Sequence, residues 1–228
     1  MMLAFCIGIS VFGMLLMIIW ANNLPTIGDG LSWRKPLIGS LFSLICILGI
    51  LASIFPSECS KSFHFQETTK NVASRQSLRA SHHPECEGFS AHVVRIKGQK
   101  RCAACTGLLL GAVIALAGAF SYFYGGLQIE NARLLVLVGA ISVLAGFLQL
   151  MFRAYVRLAL NSLFVFGAFL CLVGVDQASH SVAIDLFSVV LIVFLIFTRI
   201  QLSRWDHFRI CECCNSPCIV ERTRREKS

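Results

Sequence analysis

The cysteine and histidine residues of this 228-residue chain concentrate in two segments whose residue types could do chemistry. Cysteine thiolates and imidazoles bind zinc, and thiolates also hold iron–sulfur clusters or exchange with disulfides. Each segment contains a Cys-x-x-Cys pair, and two such pairs can complete one tetrahedral metal site. The candidate metal ligands are therefore His82, His83, Cys86, His92, Cys102 and Cys105 in the first segment, and Cys211, Cys213, Cys214 and Cys218 in the second.

Long apolar runs flank these segments and must position them. Hydrophobic residues make up 56% of the chain and charged residues 14%, against about 25% charged residues in an average soluble protein. A helix needs about 20 apolar residues to cross the hydrocarbon core of a bilayer. The runs that qualify are residues 2–20, 37–55, 102–124, 134–152, 158–175 and 182–200. We therefore expect an all-α polytopic membrane protein, not a soluble, disordered or collagen-like one.

This pattern divides the chain into a transmembrane helical domain, residues 1–200, and a Cys-rich basic tail, residues 201–228. The domain includes one long polar loop, residues 56–101. The first run lacks the positive start and the small-residue cleavage site of a signal peptide, so we expect it to be retained.

Lysine and arginine residues predict the orientation of the spans. Six spans place both termini, loop 56–101 and loop 153–157 on one face, and that face carries 17 of the 20 basic residues. Basic residues accumulate on the cytoplasmic side of membrane proteins. We therefore expect an integral cell-membrane protein with both termini and both Cys/His segments in the cytoplasm. The chain has no Asn-x-Ser/Thr sequon, which is consistent with a prokaryotic origin.

The expected compartment limits how the 11 cysteines can be interpreted. Cytoplasmic thiols are kept reduced, so clustered cysteines indicate metal or redox chemistry more than structural disulfides. Four interpretations stay open: a structural zinc site joining the loop to the tail, an iron–sulfur or other redox centre, thiol–disulfide exchange by one pair, or cysteines without a ligand. Residues 89–97 alternate like a short strand and lead through a Gly98 turn into Cys102, as in a zinc ribbon.

One stretch of the loop resembles a known family. His83-Pro84, Phe89, Gly98 and Cys102-x-x-Cys105-Thr106-Gly107, with Gly111, are similar to an uncharacterised family of small prokaryotic membrane proteins. Members of that family carry Cys-His-x-x-Pro, an aromatic residue, a glycine and then Cys-Ala-Arg-Cys-Thr-Gly entering a helix. The similarity covers roughly 30 residues; Ser81 or His82 replaces the leading cysteine and Ala104 replaces the arginine. It implies a Cys/His site at the membrane edge, at His83, Cys102 and Cys105, and it implies no activity.

Several function classes lack their expected residues. No histidine falls in a predicted span, which argues against haem binding within the membrane. Neither His-Glu-x-x-His nor Gly-x-Ser-x-Gly occurs, which argues against the common classes of hydrolase. The basic tail suits anionic lipid headgroups, and we expect no nucleic-acid partner because no aromatic platform accompanies it. With Arg199 counted as part of the tail, Asp185 is the one charged residue inside a predicted span, which makes a transporter a weak alternative.

The sequence thus predicts a zinc-binding subunit or scaffold in the lipid bilayer rather than an enzyme. The alternatives are a membrane oxidoreductase or electron-transfer protein with an iron–sulfur cluster or dithiol centre, and a transporter. A homo-oligomer or a larger membrane complex stays open as its setting.

Two further patterns in the sequence lead to expectations about the last short loop and about helix packing. Asp176, His180 and Asp185 flank the last short loop, where we expect them to be solvated more than to bind a cation. The third span has small residues at four-residue spacing, which suit close helix packing within the bundle or, alternatively, between copies of the chain. These residues are Gly107, Gly111, Ala115 and Ala119.

Overall fold

Six long helices and one short β-hairpin make up the part of the chain that the structure, a computed structural model, describes: residues 2–23, 31–54, 92–96, 98–127 and 129–213. The helices are α1 (Met2–Asn23), α2 (Arg34–Ile54), α3 (Ala103–Ala119), α4 (Ala132–Phe147), α5 (Ala154–Ser179) and α6 (Val182–Cys213). A π-helical turn (Phe120–Tyr124) extends α3, and a 3-10 turn (Leu148–Met151) extends α4. The strands are β1 (Val93–Ile96) and β2 (Gln99–Cys102).

Each of these six helices is long and apolar enough to cross a membrane, which confirms the predicted number of spans for the described residues. Large apolar side chains lie on their outer faces as well as inside; Phe5 is 68% exposed and Val190 67%. A helix that is apolar on all sides belongs in lipid or in a large core. The outer surface of the bundle therefore has the composition of a lipid-facing one.

Helix α5 is the most buried of the six and packs mainly against α3 and α4. Glycines allow these helices to approach closely. A Cβ atom built on Gly111 of α3 would lie 2.7 Å from the carbonyl oxygen of Ser162, and one on Gly139 of α4 would lie 2.6 Å from that of Gly167. Gly107 likewise faces the backbone of Leu158. The small residues of the third span thus pack against α5, as expected for packing within the bundle.

Replacing Gly111 with alanine should lower the free energy of unfolding by about 1–3 kcal/mol, because the new methyl group meets backbone atoms that cannot rotate away. Gly49→Ala is the matched control, since nothing lies within 4 Å of its Cβ position. We expect that control to be neutral or slightly stabilising, because alanine is the better helix former. SDS-induced unfolding in detergent micelles measures both; equal effects would show that the α3–α5 contact is not this close.

The hairpin packs at one end of the bundle, which we call the hairpin end. Its register pairs Val93 with Cys102 and Ile96 with Gln99. The turn needs the positive φ of +79° at Gly98, a conformation that glycine adopts without strain. Strand β1 lies within the stretch 89–97 that was expected to form a strand, and Gly98 forms the expected turn, whereas β2 was not expected. The starts of α3 and α5 and the end of α6 lie at this same end.

The other end of the bundle, which we call the Arg34 end, contains the start of α2, the end of α3, the end of α5 and the start of α6. The two ends differ in composition: the hairpin end contains the described candidate ligands, and the Arg34 end contains Asp176, His180 and Asp185.

Candidate functional site

Cys102 and Cys105 lie where β2 passes directly into α3. Cys102 is the last residue of β2 and the N-cap of α3, with extended backbone angles (φ −66°, ψ 121°), and Cys105 lies in the first helical turn. Both side chains are partly exposed and neither is in a disulfide. The Thr106 hydroxyl donates to the Cys102 carbonyl oxygen at 2.9 Å, which ties the helix start together. The pair therefore sits at the positive end of a helix dipole, a position that favours thiolates.

A buried arginine of α6 reaches the start of α3 through Asn161, whose Cβ lies 2.8 Å from the position of a Cβ atom built on Gly107. Arg199 is 6% exposed, and its Nε donates to the Asn161 side-chain oxygen at 2.9 Å; its Nη2 donates to the same oxygen. Cys105, Cys102 and Arg157 are the ionisable groups that act on its guanidinium. Among the described residues no carboxylate pairs with Arg199, and a buried cation without a counter-charge is costly. The thiolate form of Cys102 or Cys105 would supply that counter-charge.

A second buried arginine connects the hairpin to α5 and α6. Arg157 Nη2 donates to Asp206 Oδ2 at 2.6 Å, and Nη1 lies 2.7 Å from His92 Nδ1 and 2.9 Å from Nε2. His92 Nε2 is 3.7 Å from Asp206 Oδ2. Because a guanidinium only donates and Nη1 lies close to both ring nitrogens, it can hydrogen-bond to at most one of them, the nitrogen without a proton.

Charge balance around these groups also points to a thiolate. Among the described residues of this end, the buried Arg157 pairs with the carboxylate of Asp206, whereas the buried Arg199 has no carboxylate partner. One further negative charge would balance the cluster. Within the described part of the hairpin end, the Cys102–Cys105 pair is the group positioned to provide it.

The other predicted ligands fall into two groups. The first group lies outside the described residues: His82, His83, Cys86, Cys214 and Cys218. The second group, Cys211 and Cys213, lies in the last turn of α6, where the structure describes the backbone and not the side chains. Among the described residues, no three His, Cys, Asp or Glu side chains come together as a metal site. In particular, His92, Cys102 and Cys105 do not form such a group, although the Val93–Cys102 pairing brings His92 to the same hairpin.

Sequence reasoning did not single out Arg157, Asn161, Arg199 or Asp206 as site residues. The sequence predicted only that Arg157, in loop 153–157, lies on the cytoplasmic face. One pattern in the sequence does connect two of them: Arg157 and Asn161 are four residues apart and therefore lie on the same face of a helix. Asn161 Nδ2 does donate to the Arg157 carbonyl oxygen, at 2.6 Å.

A second buried polar cluster occupies the Arg34 end. Arg34 Nη1 lies 2.6 Å from Asp185 Oδ2 and 2.9 Å from Asp176 Oδ1, and both carboxyl groups are 0% exposed. Tyr122 donates to Asp176 Oδ2 at 2.7 Å, and Arg34 Nη2 lies 3.3 Å from His180 Nδ1. The expectation that the two aspartates are solvated is therefore wrong. The cation that they contact is an arginine of α2, 142 residues before Asp176 and 151 residues before Asp185 in the sequence.

Comparison of the chain with protein-family models, curated protein sequences and solved structures gives no match. The function must therefore be argued from the two buried clusters.

Proposed function

We propose that this chain is an integral membrane oxidoreductase whose Cys102–Cys105 pair exchanges with disulfides. The observation that supports this proposal is the burial of Arg199 near the start of α3, which it reaches through Asn161, with no carboxylate partner among the described residues. Thiolates are the reactive form of cysteine, and a helix N-terminus and a neighbouring guanidinium both stabilise them. The pair alone is sufficient for this chemistry, whereas a zinc site needs two further ligands.

The exchange that this geometry favours begins from the reduced pair. The thiolate attacks one sulfur of a partner disulfide, forms a mixed disulfide and releases one partner thiolate. The second cysteine, after losing its proton, attacks the mixed disulfide and releases the other. Two electrons pass to the partner disulfide, its two sulfurs become thiols, and Cys102 and Cys105 become joined in a disulfide. The co-reactant is a protein or small-molecule disulfide.

Replacing Arg199 with methionine should slow alkylation of the pair by iodoacetamide at neutral pH. We expect roughly a tenfold loss of rate, which corresponds to about 1.4 kcal/mol of lost thiolate stabilisation. Arg204→Met is the matched control, because Arg204 is an exposed arginine of the same helix. Mass spectrometry of the modified peptides measures the rates for each cysteine. Equal rates in wild type and Arg199→Met would contradict an activated thiolate.

Equilibration with oxidised and reduced glutathione should join Cys102 to Cys105 in a reversible disulfide. Peptide mapping after quenching identifies the bond, and either Cys102→Ser or Cys105→Ser should abolish it. Cys46 lies buried in α2 and should remain a thiol throughout. A pair that forms only mixed disulfides with glutathione would argue against the exchange function.

Structural zinc is the second candidate. The observation that favours it is the hairpin, because strand β2 ends at Cys102, the first cysteine of the Cys-x-x-Cys pair, as a strand does in a zinc ribbon. The remaining ligands would come from His82, His83, Cys86 and the tail cysteines, and the protein would then act as a subunit or scaffold. Stoichiometric zinc in anaerobically purified protein, lost in Cys105→Ser and Cys214→Ser, would support this candidate. Iron with inorganic sulfide would indicate an iron–sulfur centre instead.

The proposed orientation places both termini and the dithiol pair in the cytoplasm of a prokaryotic cell, where thiol reductants are available. Single cysteine substitutions of Ser228 and of Leu31 test this orientation. A membrane-impermeant maleimide should label residue 31 in intact cells and residue 228 only after permeabilisation. The reverse labelling pattern would contradict the proposed orientation.

A further inference from the structure

The buried cluster at the Arg34 end contains more negative than positive charge. Asp176 and Asp185 are 0% exposed and share one guanidinium, that of Arg34. His180 Nδ1 faces Arg34 Nη2, which only donates, so the imidazole accepts and is neutral in this contact. With both carboxyl groups ionised, one buried negative charge would have no counter-charge, which is strongly unfavourable.

The same two carboxyl groups each have an oxygen without a hydrogen-bond donor. Among the described residues Asp185 Oδ1 has no hydrogen-bond partner, and Asp176 Oδ1 is close to Arg34 Nη1 but not in hydrogen-bond geometry. The second oxygen of each is satisfied, by Tyr122 for Asp176 and by Arg34 for Asp185. Both carboxyl groups contact the same atom, Arg34 Nη1, at 2.9 Å from Asp176 Oδ1 and 2.6 Å from Asp185 Oδ2, which holds them close together. Two carboxylates cannot hydrogen-bond to each other, whereas a carboxylic acid and a carboxylate can.

We propose that Asp176 and Asp185 form a proton-binding site, in which one dissociable proton is shared between the two carboxyl groups. The proton supplies the missing donor and makes the cluster with Arg34 electrically neutral. A hard metal cation fits less well, because such ions take about six oxygen ligands and this cluster offers two unpartnered carboxylate oxygens. Ionisable groups buried within a membrane domain commonly mark proton pathways.

A cleft of about 190 Å³ lies next to this site, although neither aspartate is among its lining residues. Lys35, Tyr122, Leu127, Gln177 and His180 line it, and two of these, Tyr122 and His180, contact the cluster directly. The proton can therefore exchange at the Arg34 end, which is the outer face in the proposed orientation.

The charged and titratable groups near the two carboxyl groups come from α2, α3, α5, α6 and the residues around the start of α4. Helix α2 contributes Arg34 and the exposed Lys35, whose ammonium lies 4.9 Å from the centre of the Tyr122 ring of α3. Helices α5 and α6 contribute the two aspartates and His180 follows α5, whereas α1 has no charged residue. Glu130 and Arg133, before and at the start of α4, are exposed.

The folded protein should consequently bind one more proton than the unfolded chain above the ordinary titration range of aspartate, about pH 4. Stability is then greatest at low pH and falls as the pH rises and the shared proton leaves. Asparagine mimics a protonated aspartate, so Asp176→Asn and Asp185→Asn should each flatten the dependence of the melting temperature on pH between about pH 5 and about pH 9. Glu130→Gln, at the same end but exposed, should leave the dependence as in wild type.

Infrared spectroscopy of the detergent-purified wild type tests the site without any substitution. We expect the C=O band of one protonated carboxyl group at neutral pH, a shift of that band in deuterium oxide, and its loss at high pH. The band should vanish in both Asp→Asn variants and persist in Glu130→Gln. Absence of the band in wild type at neutral pH, or its persistence in both Asp→Asn variants, would overturn the proposal. A melting temperature that responds to sodium and not to pH would also overturn it, in favour of a metal cation.

Discussion

Replacing Arg34 with methionine is expected to lower the free energy of unfolding by about 3–5 kcal/mol, the usual cost of removing one partner from a buried ion pair. Methionine keeps the length and apolar stem of the side chain but leaves Asp176 and Asp185 without their guanidinium. Because those carboxyl groups belong to α5 and α6, the loss should loosen the junction of both helices with α2. SDS-induced unfolding in detergent micelles measures the change.

Lys35→Met is the matched control, since Lys35 is the next residue, has the same charge and is exposed. We expect it to cost less than about 1 kcal/mol, as for an exposed charge. Adding Asp176→Asn and Asp185→Asn to Arg34→Met removes the stranded carboxyl groups and should recover most of the loss. Equal effects of Arg34→Met and Lys35→Met would refute the buried cluster.

The second large effect is expected at the hairpin end. Arg157→Met should also cost about 3–5 kcal/mol, because Asp206 loses its buried partner and His92 loses the donor that holds it. Part of this cost is offset, since Arg157 Nε is buried with no described partner and methionine has no such group. The local consequence should be release of the hairpin, because β1 meets α5 at this contact.

Hydrogen exchange separates that local effect from a general loss of stability. The amides of β1 and β2 should lose protection in Arg157→Met more than the amides in the middle of α4 do. Arg153→Met, an exposed arginine one turn earlier, should leave both regions unchanged. Uniform loss of protection across the bundle would mean that Arg157 stabilises the fold without specifically docking the hairpin.

The boundaries of α5 show where hydropathy stops being informative. The apolar run predicts a span over residues 158–175, but the helix extends from Ala154 to Ser179. The residues just beyond the predicted ends, Arg157 and Asp176, are charged, so they end an apolar window. Both are nonetheless helical and buried, because each finds its opposite charge on another helix.

The candidate site was predictable only in part for a similar reason. The Cys-x-x-Cys pair and the Gly98 turn are local patterns, and the structure places them at the start of α3 and in the hairpin as expected. Arg199 comes close to that pair from nearly 100 residues further along the chain. Spacing within a sequence contains no information about such a pairing.

The amino-acid sequence by itself determined the six apolar helices, the glycine-lined contact surface of α3 and the strand-turn that presents Cys102, because each depends on the types and spacing of neighbouring residues. Only the tertiary structure decided which charged residues are buried and which residues they pair with. Arg34 looked like a residue of an outer loop, and it is instead the counter-charge of two aspartates that looked solvated. The physical reason is that a buried charge is tolerated only through its partner, and the partner is set by how helices rotate and pack against each other.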